Sequence, residues 1–304
     1  MEIVVLRENP TLVNSTIPAG NYTDYTGALL SLSAWTSGTY AAGAKVYLNS
    51  SEPHTVWESL EGSNTDTPSL TSAKWSKLGV TDRYKMLDLY QNTQSQLTGS
   101  FEFEIDSSMC DMVGFFGLQA ITLELELWVG GEAKKVETID LHEAEEASWW
   151  SYFFSEHSYK KLYIWNFPNY ASSTLKGTVS WKPGELAKCG TLAVGEVKYV
   201  GGTAYGPDIT TKTTSVVAET LGITTFTKGY SAYIKNLEVY LPEKDITRVG
   251  DLLKSQDSKP IILNANNDGI DEDILKGYGF FRSFRTLWAD KNDVRTSIKF
   301  EGMY

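Results

Sequence analysis

The chain has 304 residues, enough for two or three domains of ordinary size. A hydrophobic content of 41% and a charged content of 21% are those of a folded globular protein and exclude a disordered chain. A net charge of -11, with no local Lys/Arg cluster to reverse it, excludes a nucleic-acid groove, which needs a basic face to replace phosphate counterions.

Residues 1–34 are polar and are broken by Pro10, Pro18 and Gly20. They are expected to form an extended N-terminal arm with one short strand at 3–6, packed on the next domain or on a neighbouring chain. The opening Met-Glu-Ile-Val-Val-Leu-Arg has an acidic second residue and too short an apolar run for a signal peptide. The sequons at Asn14, Asn21 and Asn49 are then chance matches in a chain rich in Ser, Thr and Asn.

Residues 35–80 hold Trp35, Tyr40, Tyr47, Trp57 and Trp75 but few Leu or Ile. Such a segment is expected to be a small β module that fills its core with rings, because one Trp or Tyr covers as much area as two aliphatic side chains. Ser37-Gly38, Ala42-Gly43 and Asn49-Ser50-Ser51 mark its turns, and 63–68 is a loop by composition. Strands are expected at 45–48, 54–59 and 74–78.

Within residues 81–203 the period changes to two from about 97 to 200. Phe101, Phe103 and Ile105 alternate with Glu102, Glu104 and Asp106. Ile121, Leu123, Leu125 and Leu127 alternate with Thr122, Glu124, Glu126 and Trp128. Each pattern predicts a strand with one buried and one wet face. Further strands at 136–141, 161–166, 178–181 and 195–200 complete a central antiparallel β-sandwich. No stretch reaches the roughly 20 apolar residues of a membrane span; the closest, 112–129, is broken by Gln119, Glu124 and Glu126.

Residues 204–304 form a C-terminal β-rich domain with one helix. Tyr233, Leu237, Val239 and Leu241 mark one face of a strand ending at Pro242. Asp245 is the expected N-cap of a helix with Ile246, Val249, Leu252 and Leu253 inward. Strands follow at 260–264, 278–287 and 294–302, the last with Val294, Ile298 and Phe300 inward. The fold class is therefore mainly β.

Enzyme motifs fail on inspection. His142-Glu143-Ala-Glu145-Glu146 starts like a zinc-protease helix, but Glu146 stands where the second His is required. An acidic, solvated helical turn before Trp149-Trp150 is the expectation there. Residues 264–269 resemble the first half of a calcium loop, but Leu275 replaces the bidentate carboxylate, and a turn rich in Asn and Asp is expected around Asp268, Asp271 and Glu272. No GxSxG elbow, P-loop or GxGxxG fingerprint occurs. Cys110 and Cys189 lie far apart and outside any CxxC pair, so two buried thiols are expected. No catalytic residue, metal or cofactor is assigned.

The rings of Trp35, Tyr47, Trp57 and Trp75 have two readings: the module's own core, or platforms on which sugar rings stack while Glu58, Asn64 and Asp66 meet the hydroxyls. Trp149, Trp150 and Tyr152 form a second cluster, either a sandwich edge or a protein-protein patch.

The order Trp35…Tyr40-Ala-Ala-Gly43-Ala-Lys-Val46-Tyr47…Trp57…Pro68…Trp75 resembles a chitin-binding-type carbohydrate-binding module of bacterial glycosidases. Asn49-Ser-Ser-Glu-Pro-His54 replaces that module's usual tight turn, and Trp57 stands where Tyr is commoner. The flanks Thr16-Ile17-Pro18 and Thr81-Asp82-Arg83-Tyr84-Lys85-Met86 resemble tail proteins of bacteriophages and prophages that carry this module near the N-terminus. So, more loosely, do 189–195 and 278–284. The resemblance implies a non-enzymatic virion component of the tail tip, hub or adaptor, made in the host cytoplasm. Its partners would be copies of itself in a ring and other tail proteins. The alternatives are a protein that recognises a host-surface glycan and, third, a hydrolase of surface polysaccharide.

Overall fold

A computed structural model describes residues 1–8, 10–49, 53–88, 90, 93–143, 158–204, 207–213, 215–220, 223–227, 231–265, 273–287 and 293–303. The fold is mainly β, with a single α-helix among the described residues. The chain divides into two compact units: a terminal unit of Met1–Glu8, Cys110–Gly114 and Ala193–Tyr304, and a central unit of Asn9–Met109 and Phe115–Leu192. The aromatic module thus shares a unit with most of the sandwich residues, while 110–114 and the strand expected at 195–200 fall in the terminal unit. The break near the C-terminal domain comes at 192/193, ahead of the expected 203/204.

Residues 1–34 carry the strand expected at 3–6, observed at Glu2–Leu6, and further short strands that the extended-arm reading did not foresee. Glu2–Leu6 is an inner strand of the terminal unit, antiparallel to Thr191–Tyr199 on one side and to Pro260–Asn264 on the other. Its Ile3 and Val4 are wholly buried. Leu12–Ser15 is an edge strand of the central unit, and Asn21–Thr23 pairs with Leu29–Ser31 as a hairpin. The polar composition that suggested an arm belongs to short strands between tight turns, which pair through their backbones and bury a few apolar side chains, Ile3, Val4, Leu12, Ile17 and Tyr22.

In the central unit an antiparallel sheet runs in the order Glu132–Asp140, Thr122–Val129, Thr174–Ser180, Ser100–Asp106, Leu12–Ser15. The expected alternation holds: Phe101, Phe103, Ile105, Leu123, Leu125 and Leu127 are all buried. Gly-Gly at 130–131 joins the first two strands, with φ of 60° and 86°. Both central residues need positive φ in the two-residue turn whose twist matches a hairpin. At the sheet's centre Gly177 faces Phe103, and a Cβ at 177 would lie 2.3 Å from that ring. Leu186–Cys189 and Ser95–Thr98 pair separately, and the whole is sandwich-like. The module's strands are Lys45–Leu48, Thr55–Ser59 and Trp75–Val80, with Ser33–Ala34 parallel to the first.

The terminal unit continues from Pro260–Asn264 through Lys276–Leu287 and Asp293–Gly302 to Ser231–Pro242. The helix Ile246–Ser255 buries Val249 and Leu253 on a core of Ile3, Leu237, Val239, Leu241, Ile261, Leu263, Ile298 and Phe300, while Ile246 and Leu252 pack at its margin. Asp245 sits at the N-cap position but makes no capping bond; its Oδ1 accepts from Arg248 Nε at 3.3 Å instead. Tyr233, expected inward, is exposed, because it lies at the end of its strand beyond the apolar layer. Lys235, in the same inward register, is buried.

Candidate functional site

The module's rings lie mostly in its own core. Val46, Trp57 and Trp75 are buried together, with Trp35, Tyr40 and Leu48 packed against them. Trp57 is 4% exposed and its indole N–H donates to Thr55 Oγ1 at 2.9 Å. Trp75 is also 4% exposed; its N–H donates to the Asp66 carbonyl at 2.8 Å and Tyr40 meets it edge-on at 5.4 Å. Neither ring offers a face to a sugar. Tyr47 follows Val46 and so leaves the opposite face of the strand, where it stacks on His54 at 5.5 Å. Trp35 is half-buried, and its indole N–H has no hydrogen-bond partner among the described residues.

Asn64, expected to meet sugar hydroxyls, is wholly buried. Its amide donates to Ser59 Oγ at 3.0 Å and to the Lys74 carbonyl at 3.2 Å, stapling the loop to the strands. The four rings and their polar neighbours therefore do not converge on one surface. Trp149, Trp150 and Tyr152 lie outside the described residues, as do Asp268, Asp271 and Glu272.

A different surface is built with more care. The hairpin of Asn21–Thr23 and Leu29–Ser31 is clamped at its base. Thr23 donates its N–H and its hydroxyl to the two carboxylate oxygens of Asp82, at 2.8 and 2.7 Å. Lys85 donates to the Thr23 carbonyl at 2.6 Å and pairs with Asp82 at 2.7 Å. Gln96 adds a bond to Thr23 Oγ1 at 2.6 Å. Asp82 and Lys85 are both buried, and each charge has its partner and further hydrogen bonds, the condition under which a buried ion pair is tolerated.

The tip is fixed as firmly. Asp24 Oδ1 accepts from the Thr26 hydroxyl at 2.6 Å, the Thr26 N–H at 2.9 Å and the Ala28 N–H at 3.0 Å. These bonds, the Thr26 hydroxyl first, hold the Asp24 carboxyl below its ordinary range. Backbone bonds from Asp24 to Ala28 and from Gly27 to Asp24 close the turn. On this rigid turn Tyr25 is 98% exposed and Leu29 is 58% exposed. A large ring held out into water on a braced turn suits an anchor for another protein, because little ordering entropy remains to be lost on contact. The signal for it was present in Asp24-Tyr-Thr-Gly27, a turn-forming run next to an aromatic.

Elsewhere, no group of three or more His, Cys, Asp or Glu that could hold a metal ion occurs among the described residues. His142–Glu143 is a short strand paired with Ser158–Tyr159, and Tyr159 meets the His142 ring edge-on at 5.5 Å; the rest of the helical turn expected there lies outside the described residues. Cys110 and Cys189 are buried and form no disulfide, and burial pushes the Cys189 thiol up to about 12. No helix among the described residues is long and apolar enough to cross a membrane. Neither a protein-family model, nor a curated protein, nor a solved structure matches this chain.

Proposed function

We propose that the chain is a structural component of a bacteriophage tail, at the tip, hub or adaptor, and that it assembles with copies of itself and with other virion proteins. The observation that carries this reading is the hairpin braced at both base and tip that holds Tyr25 and Leu29 in water. An exposed apolar pair on a rigid mount is stable in solution but becomes favourable only when a partner covers it. The family resemblance of 15–90 supplies the virion context. In this reading the chain acts by docking and turns over no substrate.

The test is assembly state. The wild-type chain should form a discrete oligomer by light scattering and should sediment with purified particles. Replacing Tyr25 and Leu29 together by Asp should shift the oligomer to monomer with the melting temperature unchanged, since neither side chain is in the core. A wild-type chain that stays monomeric and is absent from particles overturns the proposal.

A further inference from the structure

We infer that a cleft beside Trp128, on the outer face of the central unit's sheet, binds a neutral pyranose ring of an oligosaccharide. This goes beyond the docking role and uses none of the module's rings. The starting point is a breach of pattern. Leu123, Leu125 and Leu127 point inward, so Trp128 follows the polar series of Thr122, Glu124 and Glu126 and stands on the wet face, only half-buried. Two irregularities open space around it. The partner strand carries one extra residue, Lys134, opposite the Leu127–Trp128 step. The edge strand carries Val13 as an extra residue opposite the Glu104–Ile105 step. Bulges of this kind re-aim side chains and recur beside binding sites. The turn at 130–131 adds no side chain. The result is a cleft of about 260 Å³, just below the lower end of the range for small-ligand sites, roughly 300 Å³, and so sized for a single ring.

The lining selects the chemistry. Glu126 Oε2 accepts the Trp128 indole N–H at 2.7 Å and so sets the plane of the ring. Lys176 Nζ lies 4.7 Å from the ring centre and 2.7 Å from Glu104 Oε1, so that ammonium and carboxylate are each held in place. Ser172 and Thr174 bring hydroxyls that both donate and accept, and Val13, 55% exposed, gives an apolar wall. An anion would meet the carboxylate of Glu104. A wholly apolar ligand would strip water from Lys176 and Glu104 without replacing its bonds. A pyranose offers an apolar C–H face to Val13 and to the indole beside the Lys176 ammonium that sits over it, and hydroxyls of both senses to Lys176 and the rest of the rim.

The test uses the intact chain and the indole N–H resonance of Trp128, identified by its loss in Trp128→Phe. Cellotetraose, maltotetraose and chitotetraose are titrated in turn. At least one should move that resonance in a saturable way. Ser172→Arg, which fills the cleft from an exposed position, should weaken that binding at least roughly tenfold with unchanged melting. The inference is overturned if none of the three sugars moves the resonance, or if Ser172→Arg leaves the affinity as it was.

Discussion

The aromatic module and the C-terminal part of the terminal unit solve the same problem with different materials. The module has little length in which to bury area, and it gathers Trp57, Trp75 and Val46 under Trp35 and Tyr40. The terminal unit layers aliphatic side chains from strands and from the helix over a broad sheet. Rings carry polar atoms that must be paired when buried, so the module needs Thr55 and Asp66 as dedicated acceptors. Aliphatic layers need none. A core of rings is therefore compact but particular about its neighbours, whereas the aliphatic core has room to bury even a lysine.

The largest test of this contrast is Trp75→Ala. It removes a buried indole and leaves the Asp66 carbonyl without its donor, and should destabilise the central unit by about 3–5 kcal/mol in denaturant titration. A loss under about 1 kcal/mol would mean the rings do not act as a core.

Lys235→Met probes the other side. The Lys235 ammonium donates to the Lys276 carbonyl and lies 5.9 Å from the Phe300 ring. Burial pushes its pKa from 10.5 down to about 8. Between those two values the unfolded chain holds the proton more tightly than the folded one, so wild-type stability rises with pH across that window. Met should therefore be more stable than Lys by about 1–3 kcal/mol at pH 7, after allowing for the lost bond to Lys276, and the gap should close between pH 8 and 10.5. A Met variant that is weaker at pH 7 would show that the carbonyl bond outweighs the cost of burial.

The smallest expected effect is Trp35→Phe. The ring is half-buried and its N–H is unpartnered among the described residues, so the lost area and the removed polar atom should nearly cancel, within about 1 kcal/mol by thermal melting. A larger loss would place Trp35 among the indispensable rings.

Strand identity was legible wherever alternation was strict. Phe101, Phe103, Leu123, Leu125, Leu127, Val294, Ile298 and Phe300 all face inward as their spacing required. Pairing was not legible, since nothing in residues 2–6 names Thr191–Tyr199 or Pro260–Asn264 as neighbours. Period also marks a face without saying where the apolar layer stops, which is why Tyr233 was misplaced. Lys235 and Trp128 were readable as breaches of pattern, one polar on a dry face and one aromatic on a wet face. The braced hairpin depended on Asp82, Lys85 and Gln96, about sixty to seventy residues away from Thr23, and contact at that range leaves no periodic trace.

The position of Glu2–Leu6 has a consequence for biosynthesis. Its Glu2 lies opposite Asn264, so this apolar segment waits for residues 260–264 to be made before its second edge is covered. Contacts of such long range slow folding. During that interval Ile3, Val4 and Val5 form a bare, aggregation-prone ribbon, and lowering the expression temperature or supplying a holding chaperone should raise the soluble yield of this chain more than that of proteins with mainly local contacts.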